Sequence, residues 1–487
     1  MVLTVVFHFA LWAKEAEPAI RVESTPVNRD AKLGTSFAPV VKKASLSVVN
    51  IYSTHIIHMR LMRNPMFNDP IFRQFFGEPM PNDNREMTRR ERSLGSGVII
   101  SPNGYILTAN HVVDSADEIK VSFGENKTEY DARVVGTDPP TDVAVLKIDA
   151  KDLPAITLAD SDQLEIGDIV LAIGNPFGLS RTVTMGIVSA LGRSGLPGFN
   201  QYQDFIQTDA AINPGNSGGA LVDAEGRLIG INTAIYSRSG GNQGIGFAVP
   251  INLARHVMER LISDGKVTRG YLGILPQDLS PGLAKAFGRP DQNGALVGNV
   301  YPGTPAEKAG IQSGDVIVAF NGKKITDAHT LVLMVSECAP GSQATVEVLR
   351  NGQAKTVTLS LGELPVTTAQ TQTGRNDSDS RVAGTDALDG VTVSDMDNYV
   401  RRQLGLPENL QGALVTDVDQ NSNAADAGLR RGDIIVEINR QAVTGADDAV
   451  KLGRQAKGDQ ILLKVWHRDG ELAGTHFLSV DNTKRGK

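Results

Sequence analysis

Two stretches of this chain repeat each other, and that repeat limits the possible folds more than any other feature. Pro305-Ala-Glu-Lys-Ala-Gly310-Ile-Gln-Ser-Gly314-Asp315-Val-Ile-Val matches Asn423-Ala-Ala-Asp-Ala-Gly428-Leu-Arg-Arg-Gly432-Asp433-Ile-Ile-Val, at an offset of 118 residues (428 − 310). A period that long is too large for a solenoid unit and suits a small domain with its linker. At 487 residues the chain exceeds what one core can serve, and roughly 150 residues per domain suggests three domains. Between the copies, Thr367 to Gly384 is rich in Thr, Gln, Ser, Asp and Gly with almost nothing apolar, and reads as a flexible tether. Upstream, from Ser36 to about Pro250, short apolar runs are broken by glycine turns, which predicts an all-β domain. Val98-Ile99-Ile100 and Tyr105-Ile106-Leu107 flank Asn103-Gly104, a strong hairpin signal. Leu253, Val257 and Leu261 recur at helical spacing and predict a helix over Ile251 to Asp264.

The chemistry sits in that β-rich part. Asn213-Pro214-Gly215-Asn216-Ser217-Gly218-Gly219 surrounds a serine with glycines. Such a turn lets backbone amides face a ligand and a substrate backbone come close. Taken alone, it also fits an ordinary tight turn. A serine hydroxyl becomes a useful nucleophile only when a base takes its proton. Two upstream segments offer the rest: Tyr105-Ile-Leu-Thr-Ala-Asn-His111 reads as a strand ending at a histidine, and Thr141-Asp142-Val-Ala-Val-Leu-Lys147 as an aspartate opening an apolar strand. The order His111, Asp142, Ser217 is one of those in which convergent catalytic triads occur. In this reading Ser217 attacks a carbonyl, His111 shuttles its proton, Asp142 orients the imidazole, and the amides of Gly215, Asn216 and Ser217 form the oxyanion hole.

Thr108-Ala-Asn-His111, Thr141-Asp142-Val-Ala-Val-Leu and Gly215-Asn-Ser217-Gly-Gly together resemble the HtrA (DegP/DegQ) family of trypsin-like serine proteases, from about Thr35 to the C-terminus. The resemblance implies a mainly β chain: a trypsin-like double β-barrel over 35–264, PDZ domains over 266–364 and 388–482, and a linker over 365–387. It implies a signal-like leader over 1–34 and export to the periplasm. Val2 to Ala13 is apolar except for His8 and too short to span a bilayer, but no positive charge precedes it and no clean A-x-A site follows. The family's function is ATP-independent cleavage of misfolded exported proteins, with chaperone activity beside it. A chaperone or scaffold in which peptide binding is the main task stands as the alternative. The implied assembly is a trimer or multiples of trimers.

Further sites follow from the same resemblance. Arg269-Gly270-Tyr271-Leu272-Gly273-Ile274 matches the loop that grips a peptide carboxylate, with the amides of Tyr271, Leu272 and Gly273 as donors. The same glycines also suit a plain turn. The corresponding Leu388-Asp389-Gly390-Val391 puts an aspartate where a carboxylate would arrive, so a subunit contact is as good a reading there. Ile212 and Thr233 are expected to border the specificity pocket, together with Tyr236 to Asn242. Phe177 to Thr182, with Arg181, matches the sensor loop, Arg193 an activation relay, and Leu196 to Tyr202 the activation loop. Thr54 to Arg92 carries five of the ten methionines and four phenylalanines. It reads as an adaptable contact loop or a disordered one, and its short, cysteine-free form points toward DegQ-like members.

The remaining composition mostly excludes. A net charge of −7 disfavours nucleic acid or anionic membrane as the main partner. The single cysteine, Cys338, rules out an internal disulfide and falls at helical spacing with Leu331, Met334 and Val335, as a core thiol would. His55 and His58 lack an accompanying carboxylate, so no metal site is expected. No cofactor is expected either.

Overall fold

The computed structural model describes residues 18–26, 29, 36–59, 87–124, 128–175, 182–194, 202–235, 242–365, 385–407, 409–469 and 472–483. The chain divides into two compact units, Met1–Val267 and Thr268–Lys487.

The first unit holds two closed six-stranded antiparallel barrels. One comprises β1 (Val48–Met59), β2 (Met87–Ile99), β3 (Tyr105–Ala109), β4 (Glu118–Phe123), β5 (Thr128–Asp138) and β6 (Val143–Ile148). The other comprises β7 (Ile169–Gly174), β8 (Thr182–Arg193), β9 (Phe205–Thr208), β10 (Ala220–Asp223), β11 (Leu228–Ile235) and β12 (Gly246–Pro250). The hairpin at Asn103-Gly104 forms as expected: Val98 faces Leu107, Ile99 faces Ile106, and Gly104 takes φ +97°. β1 and β2 stay paired out to Met59 and Met87. The ends of the predicted Thr54–Arg92 insert are therefore strand, and its centre lies outside the described residues.

Strand alternation explains why β3 and β6 read as continuous apolar runs. Side chains on successive residues point to opposite faces. Ile106, Ala144 and Leu146 fill the first barrel, while Tyr105, Leu107, Val143 and Val145 turn outward into a core shared with Leu171, Phe205 and Phe247 of the second. The Phe205 and Phe247 rings pack 5.7 Å apart, and each such burial stabilises by about 1.5–3 kcal/mol. The helix Ile251–Asp264 appears with the predicted bounds and packs Val257 and Leu261 on that core. Within the stretch read as a leader, Glu23 N donates to Leu158 O at 2.9 Å, and Arg29 makes two 2.9 Å bonds to the Asp168 carboxylate.

The second unit contains two related sheets. The first has β14 (Ile274–Asp278), β15 (Ala295–Val300), β16 (Val316–Phe320), β18 (Gln343–Arg350) and β19 (Gln353–Ser360), with the short β17 (Lys323–Lys324) on β16. β13 (Gly270–Tyr271) and β20 (Gly362–Glu363) pair apart from it. The second has β21 (Thr385–Leu388), β22 (Val391–Ser394), β23 (Ala413–Val418), β24 (Ile434–Ile438), β26 (Gln460–Asp469) and β27 (Leu472–Asp481), with β25 (Gln441–Ala442) on β24. The repeat recurs in detail. Asp315 and Asp433, each 1% exposed, open β16 and β24. Arg350 holds the first through two 2.7 Å bonds, and His467 holds the second.

Cys338 closes the helix Ala328–Glu337, half-buried, its Sγ 3.3 Å from Met334 O. Burial and the neighbouring Glu337 charge raise its thiol pKa. Among the described residues, no helix is long and apolar enough to cross a membrane.

Candidate active site

β3 and β6 are neighbours, with Ala109 opposite Val143. His111 follows the end of β3 in the one-turn helix Asn110–Val113, and Asp142 immediately precedes β6. The sheet register therefore brings together two residues that lie 31 positions apart. Asn110 N donates to Asp142 O at 2.9 Å, locking the two chain segments. Asp142 sits at φ +59°, a left-handed conformation that aspartate tolerates better than most residues. Its carboxylate then grips His111 twice. Oδ1 accepts from the His111 amide at 2.9 Å, and Oδ2 lies 2.8 Å from Nδ1. The Thr233 hydroxyl donates to the same Oδ2.

Burial alone lowers the His111 pKa. The hydrogen bond and charge of Asp142 outweigh that and leave it raised. The Asp142 side chain is 14% exposed and that of His111 50%, so the imidazole faces solvent while its partner does not.

Ser217, from the second barrel, is linked to this pair through Thr233. Its carbonyl accepts from Ser96 N at 2.9 Å, and its hydroxyl donates to Thr233 O at 3.2 Å. Thr233 thus touches both Asp142 and Ser217. It is a strut between them. Among the described residues, the one hydrogen bond of Ser217 Oγ runs to Thr233, not to His111. Gly218 takes φ +80°, and a Cβ there would overlap Ser96 O and Thr108 Oγ1, so only glycine fits beside the serine.

The expected oxyanion amides separate into two kinds. Asn216 N donates to Asn213 O at 2.9 Å and is engaged within its own turn. Among the described residues, the amides of Gly215 and Ser217 make no such bond. The Gly215 carbonyl is anchored by the Ser96 hydroxyl at 2.7 Å, while Ser96 Oγ accepts from Asn175 N at 2.9 Å. Ser96 is fully buried. Nothing in Gly95-Ser96-Gly97 as sequence distinguishes it from any strand serine.

Ile212 is 1% exposed and packs in the second barrel's core, over Gly246. Arg193 Nε donates to Gln207 Oε1 at 2.9 Å at the exposed end of β8. Arg181 and nearly all of the predicted sensor, activation and specificity loops lie outside the described residues. His55 Nδ1 sits 3.0 Å from Ser115 O. No group of three or more metal-ligating side chains gathers among the described residues.

In the second unit, Leu272 O accepts from Ala306 N and Gly273 O from Tyr301 N, both at 2.9 Å. A trans peptide holds its C=O and N–H opposed, so the amides of Gly273 and Ile274 point to the other side of the turn. Gly273 takes φ +85°, and a Cβ there would overlap Thr304.

Comparison with known proteins agrees with this architecture. Residues 95–231 match the family of the trypsin-like peptidase domain, and residues 270–361 and 414–467 each match a PDZ domain family. The fold is that of a trypsin-like serine peptidase followed by two PDZ domains. The chain is 44% identical over 405 residues to a Chlamydia trachomatis protein named "Probable periplasmic serine endoprotease DegP-like", covering 83% of this chain and 78% of that one. It is 39% identical to a protein of the same name from Halomonas elongata, over 95% of this chain and 96% of that one. Among solved structures it resembles "HtrA-type protease AlgW with decapeptide", with 49% identity and a TM-score of 0.55 over 68% of this chain and 99% of that one. The chain belongs to the HtrA-type, DegP-like family of periplasmic serine endoproteases.

Proposed function

We propose that this endoprotease cleaves peptide bonds with Ser217 as nucleophile, His111 as general base and acid, and Asp142 as the group that orients and charges the imidazole. The observation that carries the reading is the double grip of Asp142 on His111. With Nδ1–H held by the carboxylate, the basic lone pair sits on Nε2, where a serine proton can be taken. On substrate binding the Ser217 hydroxyl exchanges Thr233 O for His111, as catalytic hydrogen bonds often tighten only in the complex. Attack on the scissile carbonyl gives a tetrahedral oxyanion, held by the amides of Gly215 and Ser217. His111 then returns the proton to the leaving amine, and water repeats the sequence on the acyl-enzyme.

The physiological substrates in this proposal are unfolded or misfolded exported proteins. The first PDZ domain recruits their C-termini through the Tyr271–Gly273 turn, and trimers or their multiples are the working assembly. Binding without hydrolysis supplies the chaperone function. Ser217→Ala separates the two activities: casein cleavage is expected to vanish while suppression of aggregation survives. Undiminished proteolysis in that variant would rule out this mechanism.

A further inference from the structure

The two PDZ domains of this chain differ at the strand edge where a peptide would dock. A peptide joins such a domain by adding a strand to a sheet edge, with its C-terminus at the loop that precedes that strand. In the first domain β13, just before the Leu272-Gly273 turn, pairs away with β20. β14 pairs only with β15 among the described residues, so its other edge is available.

The second domain is arranged otherwise. Gly390 matches Gly273 in place and conformation: φ is +75° and +85°, and each carbonyl accepts an amide, from Asp419 and Tyr301 respectively. Yet the preceding residues fold back at Asp389-Gly390 and pair antiparallel with β22, setting Thr385 opposite Val393 and Asp386 opposite Thr392. β21 therefore becomes the edge strand, lying between β22 and the helix Ala446–Gln455. Ala387 is 3% exposed and Leu388 9%. Both belong to the domain core with Ala449 and Leu452 of that helix. The fit requires a glycine on the helix, since a Cβ at Gly453 would overlap the Ala387 carbonyl.

We infer that the peptide groove of the second PDZ domain is filled from within by Thr385–Leu388, and that a peptide in trans enters it only by displacing this strand. The direction of β21, antiparallel to β22 and ending at the loop, is that of a bound C-terminal peptide. The buried Ala387 and Leu388 define the ligand it mimics: an extended peptide with a free carboxylate and an aliphatic last residue. A leucine there would take the place of Leu388. Asp389 continues the chain where a free carboxylate would sit. This inference deepens the recruitment reading by assigning the resting chain one open groove.

The test uses the full chain carrying Ser217→Ala, so that ligand is not cleaved, and a decapeptide ending in leucine. Calorimetric titration is expected to give one peptide per chain. Adding Ala387→Arg, too large and charged for a position 3% exposed in the domain core, is expected to release β21 and give two per chain. Hydrogen exchange on the Ser217→Ala chain provides the check should that variant not fold. Saturating peptide is expected to increase protection over 271–278 and leave 391–394 unchanged. Two peptides per chain before the second substitution, one in a folded Ala387→Arg variant, or peptide-induced protection at 391–394 would overturn the inference. Zero peptides becoming one on Ala387→Arg would instead remove the first-domain reading and leave this inference standing.

Discussion

Replacing Ser96 with alanine tests how the oxyanion turn is held. The hydroxyl is fully buried and makes two bonds, donating to Gly215 O at 2.7 Å and accepting from Asn175 N at 2.9 Å. Alanine strands both backbone groups where water does not reach. Each stranded group costs about 1–3 kcal/mol, so the loss of stability is about 2–4 kcal/mol once partial relaxation is allowed for. For a domain of this size that corresponds to a fall in Tm of roughly 2–4 °C per kcal/mol. The Ser96 main chain still holds Ser217 O, and Thr108 Oγ1 still holds Ser96 O, so the fold survives. The freed Gly215 carbonyl lets its peptide rotate, and the neighbouring amides lose their aim. Because oxyanion contacts strengthen in the transition state, kcat is expected to fall by about 10–100-fold with KM within about twofold. Steady-state cleavage of a chromogenic peptide, run beside thermal denaturation, reads both effects. A variant with the expected fall in Tm but unchanged kcat would refute the link between Ser96 and the turn, and an unchanged Tm would refute the burial argument.

The raised His111 pKa sets a pH dependence. The base must be neutral, so kcat/KM is expected to fall on acidification with an apparent pKa above the ordinary value of about 6.5. Asp142→Asn should abolish that displacement and lower kcat by about 10⁴-fold, as the loss of an orienting aspartate does in other serine proteases. A limb at or below the ordinary histidine value would contradict the Asp142 grip. In stability terms the sign is the reverse of the usual carboxylate case. The His111 contribution is complete below about pH 6.5 and disappears as pH rises through the raised value. In the first PDZ domain, Arg350→Met leaves Asp315, 1% exposed, without its bidentate partner. Among the described residues, only the Gln312 amide remains to its carboxylate. Urea denaturation is expected to show a loss of about 2–4 kcal/mol, since breaking a buried pair from one side exposes the full cost of the stranded charge.

Sequence reasoning succeeded where one local rule decides the outcome. Asn103-Gly104 between apolar runs makes a hairpin because glycine accepts the positive φ the turn needs. Leu253, Val257 and Leu261 make a helix because they share one face. The duplicated Gly-Asp motif predicts two like domains because a repeat at that offset suits a small domain with its linker, and the structure buries each aspartate in the same way. The meeting of His111 and Asp142 follows from β3 pairing with β6, a register that no single segment encodes. Ser96 and the strut role of Thr233 were not legible for the same reason: their partners Gly215, Asn175 and Asp142 are distant in sequence. Asp389 did mark the second PDZ loop as unlike the first. The cause, a strand folded into its own groove, depends on Gly453 more than sixty residues further on.

The central claim, that the Ser217 hydroxyl is the group His111 activates, is tested most directly by covalent labelling. A phosphonofluoridate reacts with a serine whose proton is being removed, and peptide mass spectrometry locates the adduct. The account predicts one adduct per chain, on Ser217, lost in His111→Ala while the fold is retained. Labelling at another serine, or full labelling of Ser217 in the His111→Ala variant, would contradict it.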